Sequence, residues 1–247
     1  MSDIKQNFES MLQAFEQTQN ISSRQPTLVA RTVQTMYAEE VSGINNDRAL
    51  SKVGKEAARK ELKQKYGREF IDQAKKMRDE YDKAVIKAQT QAEVILNAEP
   101  PKPDAITIKS FERELQALKM NVMLGTNPET SIQAINEFAA KQKEPYLAKQ
   151  IADEFAGLAT NVIKGSGNSP QVKQKLSGVY QAVLEKAMMP EQQKALEIAG
   201  YVSEAVGWPL FRDKSIEIEA LDRIIGPEFT RHANKPHLYV DPEAKAE

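Results

Sequence analysis

Residues 46–98 read NDRALSKVGKEAARKELKQKYGREFIDQAKKMRDEYDKAVIKAQTQAEVILNA, a run without proline. It is dense in Lys, Arg, Glu, Gln and Ala, with isolated apolar residues three or four positions apart. That spacing predicts one or two long, mostly solvated helices. Such helices are marginal in water and need a surface to bury their apolar stripe. Asn45, Asn46 and Asp47 are candidate caps for its start. Gly54 and Gly67 each weaken a helix by up to about 1 kcal/mol relative to Ala, and a bend is expected near Gly67. Beyond it, Phe70, Ala74, Met77, Tyr81, Ala84, Ala88, Gln91 and Ile95 alternate steps of four and three, the seam of a coiled coil. Three Ala and one Gln weaken that seam. Packing against a helix of the same chain, or of a neighbouring subunit, is expected rather than a strong autonomous dimer.

On the N-terminal side, Ile4, Phe8, Met11, Leu12 and Phe15 form one apolar stripe. A polar break at 20–26 follows. Leu28, Val29, Val33, Met36 and Tyr37 mark a second helix, expected to end near Ser42–Gly43. On the C-terminal side, 97–104 reads NAEPPKPD, and its three prolines predict a stiff extended hinge. Phe111, Leu115, Leu118, Val122 and Met123 predict another helix, stopped at Gly125. Asn127-Pro128 and Ser169-Pro170 each read as a cap followed by a first turn. Pro145 and Pro190 punctuate, and Gly165–Gly167 and Gly207 close. This predicts a helical bundle or two stacked helical hairpins. Trp208-Pro209 is expected to be a turn that buries the sole Trp. The alternation at Ile216–Glu219 leaves 215–225 open to either helix or strand.

The expected fold is therefore all-α, in four parts: an N-terminal helical region with the long charged helix at 1–98, a proline hinge at 99–104, a helical domain at 105–225, and an extended arm at 226–247. Pro227, Pro236 and Pro242 break any helix in the arm. Phe229, Leu238, Tyr239 and Val240 are nonetheless too apolar for a solubilising tail. The arm is expected to order by docking those four residues on a neighbouring subunit or partner.

Composition narrows the function classes. With 34 basic and 35 acidic residues the net charge is −1, so nucleic acid or an anionic membrane is attracted only by a local patch. The absence of cysteine excludes disulfides, thiolate metal sites and cysteine nucleophiles. The acidic N-terminus lacks the signal-peptide pattern, and no run reaches the roughly 18 apolar residues of a membrane span. A cytoplasmic location is expected.

Chemistry-bearing constellations are sparse. His232 and His237 lie five apart with Pro236 between them and Asp241 nearby, and read as surface or docking histidines rather than metal ligands. Glu39-Glu40, Asp153-Glu154 and Glu217/Glu219 read as solvated helix faces, and the Glu-x-x-His pairs of a di-iron bundle are missing. Gly165-Ser166-Gly167 lacks the Lys-Ser/Thr of a phosphate loop. No catalytic, cofactor or metal residue is assigned. One patch remains. Between Arg48 and Arg68 there are eight basic residues against two acidic ones, and Arg48, Lys52, Lys55, Arg59 and Lys63 run at steps of four, three, four and four. Such a stripe can follow phosphates or seat an acidic partner helix. It carries no interleaved aromatics for base stacking.

In general character the chain is similar to the cysteine-free, helix-rich structural and scaffolding-type proteins of tailed bacteriophages. Lys55–Gln91, the hinge at Pro100–Pro103 and the tail Phe229–Pro242 carry that resemblance. It implies a non-enzymatic protein that occupies interfaces in a symmetric assembly, either as a homo-oligomer or beside a protein partner, in the virion or the host cytoplasm. The alternative is a nucleic-acid-binding accessory protein that uses the Arg48–Arg68 ridge.

Overall fold

A computed structural model of the chain describes residues 2–242, apart from the side chain of Ser2. Of the described residues, 81% are helical and none lies in a strand. The helices are α1 (Ser2–Ser23), α2 (Gln25–Asn46), α3 (Lys52–Leu96), α4 (Ala105–Leu124), α5 (Pro128–Lys141), α6 (Pro145–Gly165), α7 (Pro170–Ala187), α8 (Pro190–Ala205), α9 (Ile216–Ile225) and the single turn α10 (Pro227–Thr230). A 3-10 turn follows at Pro236–Leu238.

Several starts are set by side chains that satisfy the free N–H groups of a first turn. Asp104 accepts from Ile106 N and Thr107 N, and Asn127 accepts from Glu129 N. Ser215 accepts from Ile218 N, and with that cap the 216–219 alternation resolves as helix. Ser51, not Asn45–Asp47, lies at the start of α3, its Oγ accepting from Gly54 N at 3.1 Å. The asparagines belong to the end of α2, which runs past Gly43.

No break interrupts α3 at Gly67. A Cβ on Gly67 would collide with the Phe229 ring. The glycine is there to admit an aromatic side chain, and the expected bend is absent. The seam is real: Phe70, Ala74, Met77, Tyr81, Ala84, Ala88 and Ile95 are all buried, with Gln91 half-buried.

The chain divides into two compact units. One comprises residues 1–6 and 93–197, the other 7–92 and 198–247. In the first, α6 packs against α4, α5 and α7. Its core gathers Phe111, Leu115, Ile135, Phe138, Ile151, Phe155 and Leu176, with Phe111 and Phe138 stacked at 5.5 Å. The proline run lies inside this unit rather than between units. Pro100 is buried. The Gln192 amide donates to the carbonyls of Ile95, Leu96 and Ala98 at 3.3, 3.1 and 2.9 Å, while its Oε1 accepts from Met189 N at 2.9 Å. One buried side chain thus closes the end of α3 and the start of α8.

In the second unit, α9 packs on α2 and α10. Phe70 meets Phe211, and Phe15 meets Tyr201, both edge to face. Trp208 stays 39% exposed, against the expectation of burial, with one edge on Tyr201.

Candidate functional site

The cationic stripe turns partly inward. Its steps continue through Tyr66 and Phe70, both fully buried, so the same helix face leads into the core. Lys55 Nζ donates to Asn45 O at 2.7 Å, and Arg59 Nε donates to Asn45 Oδ1 at 3.1 Å. Both cations sit over the C-terminal turn of α2, where unpaired carbonyls favour positive charge. Lys63 is half-buried. Arg48 lies exposed in the bend before α3, and Lys52 is the exposed first residue of that helix. The five do not form one free row.

A second link joins the same helices. Lys65 Nζ and Tyr66 Oη both donate to Glu40 Oε1, at 2.7 and 2.8 Å. The Lys65 bond, then the Tyr66 bond, holds the Glu40 carboxyl below the usual range. Burial, then the bond to Glu40, pushes the Tyr66 phenol up. Tyr37 meets Tyr66 edge to face at 6.0 Å.

The arm is not free either. Phe229 is 1% exposed, its ring 5.4 Å from that of Tyr239, which also meets His232. Asp241 pairs with Arg68 at 2.9 Å, and His237 with Asp79 at 3.0 Å. The expectation that Phe229 docks on another subunit is therefore corrected: it is core of its own chain, in the space Gly67 leaves. Tyr239 is half-buried, and Leu238 and Val240 remain exposed. Residues 243–247, the end of the expected arm, lie outside the described residues.

What the arm does is wall a groove in the second unit. Arg78, 8% exposed, donates to Trp208 O at 2.6 Å and pairs with Asp82 at 3.2 Å. Tyr81 Oη donates to Ala205 O at 3.1 Å. Together they hold the end of α8 against α3. The Asn234 amide exchanges two 2.8 Å bonds with the backbone of Phe211 and fixes the following turn. Between these walls lies an open groove of about 630 Å³. Ile86, Val206 and Leu238 border it while 62, 62 and 64% exposed. Three large aliphatic side chains left in water around one concavity favour contact with another apolar surface. Searches against family models, curated proteins and solved structures returned no match.

The first unit carries its own groove, between α4 and α6. Two concavities of about 610 and 340 Å³ share Gln116, Lys119 and Glu154 and so run into one another. Lys119 and Glu154 bridge the groove at 2.9 Å. One end is flanked by Lys109 and Arg113, the other by Met120, Met123 and Gly157. Sequence reasoning missed both grooves. Their legible signals were Leu238, singled out as a docking residue, and Met123, placed on the buried stripe of its helix but in fact exposed.

Among the described residues no three of His, Asp or Glu group as metal ligands, and no helix is long and apolar enough to cross a membrane.

Proposed function

We propose that this chain is a non-enzymatic structural or assembly protein, of the virion or scaffold kind, that works through helix-mediated contacts with protein. The observation that supports the reading is the groove walled by α3, the end of α8 and the 234–238 turn, with Ile86, Val206 and Leu238 bared around it. Burying a large aliphatic side chain is worth about 1.5–3 kcal/mol, so three together make a strong anchor for a partner. The net charge of −1 leaves copies of the chain with almost no mutual repulsion.

The nucleic-acid alternative draws less support. Lys55 and Arg59 are committed to Asn45, and the remaining stripe is short. The test is the mass in solution of the full chain, alone and with candidate partners, for wild type and for Ile86→Glu/Leu238→Glu. All three apolar rim residues are exposed, so the variant is expected to keep its helix content and lose association. A wild type that stays monomeric, finds no protein partner and binds DNA with steep salt dependence would replace this reading with the alternative.

A further inference from the structure

We propose that the α4–α6 groove of the first unit seats a partner helix that is acidic at one end and apolar at the other. The proposal rests on the assembly reading and names a second contact face for it.

Along the exposed face of α4, Lys109, Arg113, Gln116, Met120 and Met123 follow steps of four, three, four and three. They rise through about 21 Å at 1.5 Å per residue, the length of four helical turns. The face changes character along its length. Lys109 and Arg113 line one end with no carboxylate partner among the described residues, and Glu112 lines that end with them. Beyond the lining, Lys102 over the Tyr146 ring at 6.0 Å and Asp104 at the start of α4 add one charge of each sign. The bridge in the middle is already neutral. At the far end Met120 and Met123 are 53 and 57% exposed. Flexible thioether side chains of this kind mould themselves to an incoming apolar surface.

Gly157 is the second observation. A mid-helix glycine destabilises a helix relative to Ala. Gly67 has the Phe229 ring to explain it, whereas at Gly157, as at Gly178 and Gly200, a Cβ would meet nothing within 4 Å. Gly157 borders the methionine end of the groove, where a missing side chain lets another backbone approach closely. A cationic end, a soft apolar end and an open glycine fit an amphipathic helix. An acidic first turn on that helix is favoured by its own dipole and complements Lys109 and Arg113.

The test uses the full chain and two labelled helical peptides of about 14 residues, four turns at 3.6 residues each. Both carry Leu on one face of the C-terminal half. The N-terminal half carries Glu in one peptide and Lys in the other. Fluorescence anisotropy is expected to show at least tenfold tighter binding of the Glu peptide. Gly157→Leu, which has open space around it and should fold, is expected to weaken that binding tenfold or more. Lys109→Glu/Arg113→Glu is expected to reverse the preference between the peptides. Equal binding of the two peptides, or no effect of Gly157→Leu, would overturn the proposal. So would loss of self-association in Gly157→Leu, which would make a second copy the occupant. Self-assembly that persists while neither peptide binds would remove this inference and leave the proposed function standing. Peptide binding by a chain that assembles with nothing would do the reverse.

Discussion

Gly67 and Phe229 lie far apart in sequence and are one feature in space. The ring occupies the place a side chain at 67 would take. Read singly, each residue misleads: a helix glycine suggests a bend, and a lone aromatic in a proline-containing tail suggests an intermolecular dock. Phe229→Ala is expected to cost about 3–5 kcal/mol, as for other buried aromatics. Gly67→Ala should also destabilise the chain, although alanine is the better helix former, because the ring must move. Urea titrations of both variants check this. A Phe229→Ala chain with wild-type stability would return the tail to the role of an outward arm. Lys55 and Arg59 teach a related lesson. Their charge pointed outward to phosphates, while their position continues into Tyr66 and Phe70 and so faces the end of α2.

Helix ends show how much of an element lies outside its own residues. α3 begins on Ser51, a local device, but its far end is closed by Gln192, nearly a hundred residues on. Gln192→Ala strips the donor from three carbonyls and the acceptor from Met189 N. An expected loss of about 1–3 kcal/mol follows from leaving buried groups unpaired. Hydrogen exchange at the Met189 amide, which loses its acceptor, should rise in the variant. Unchanged exchange and stability would mean that water replaces the amide without cost. The proline run shows the same dependence. Three prolines end the helix as expected, yet Pro100 is buried and the segment is anchored through Ala98 to Gln192, so it is not a free hinge within its unit.

At the scale of the chain, two depressed carboxyls contribute to the response to acid. Lys65 and Tyr66 hold Glu40 low, and the Thr107 hydroxyl and backbone amide hold Asp104 low. A carboxyl whose folded value lies below its unfolded one stabilises the fold fully above the ordinary range near pH 4. That contribution is lost as pH falls through the range toward the folded value. Glu40→Gln/Asp104→Asn should therefore unfold at lower urea than wild type at pH 7, and the gap should close as pH drops below about 4. A gap that stays constant with pH would show that the effect is steric rather than electrostatic.

The all-α class, most helix positions and the seam on α3 were legible in the sequence because they rest on local chemistry. Periodicity of three and four, caps such as Asp104 and Asn127, and prolines at first turns act within a few residues. The grouping into units was not legible, since residues 7–92 join 198–247 across an intervening unit. Nor were the two grooves. Whether Met123, Leu238 or Trp208 is covered depends on which distant helix arrives beside it. Hydrophobic burial is non-directional, so a sequence marks which faces are apolar, while the partner that each face meets is settled when the chain packs.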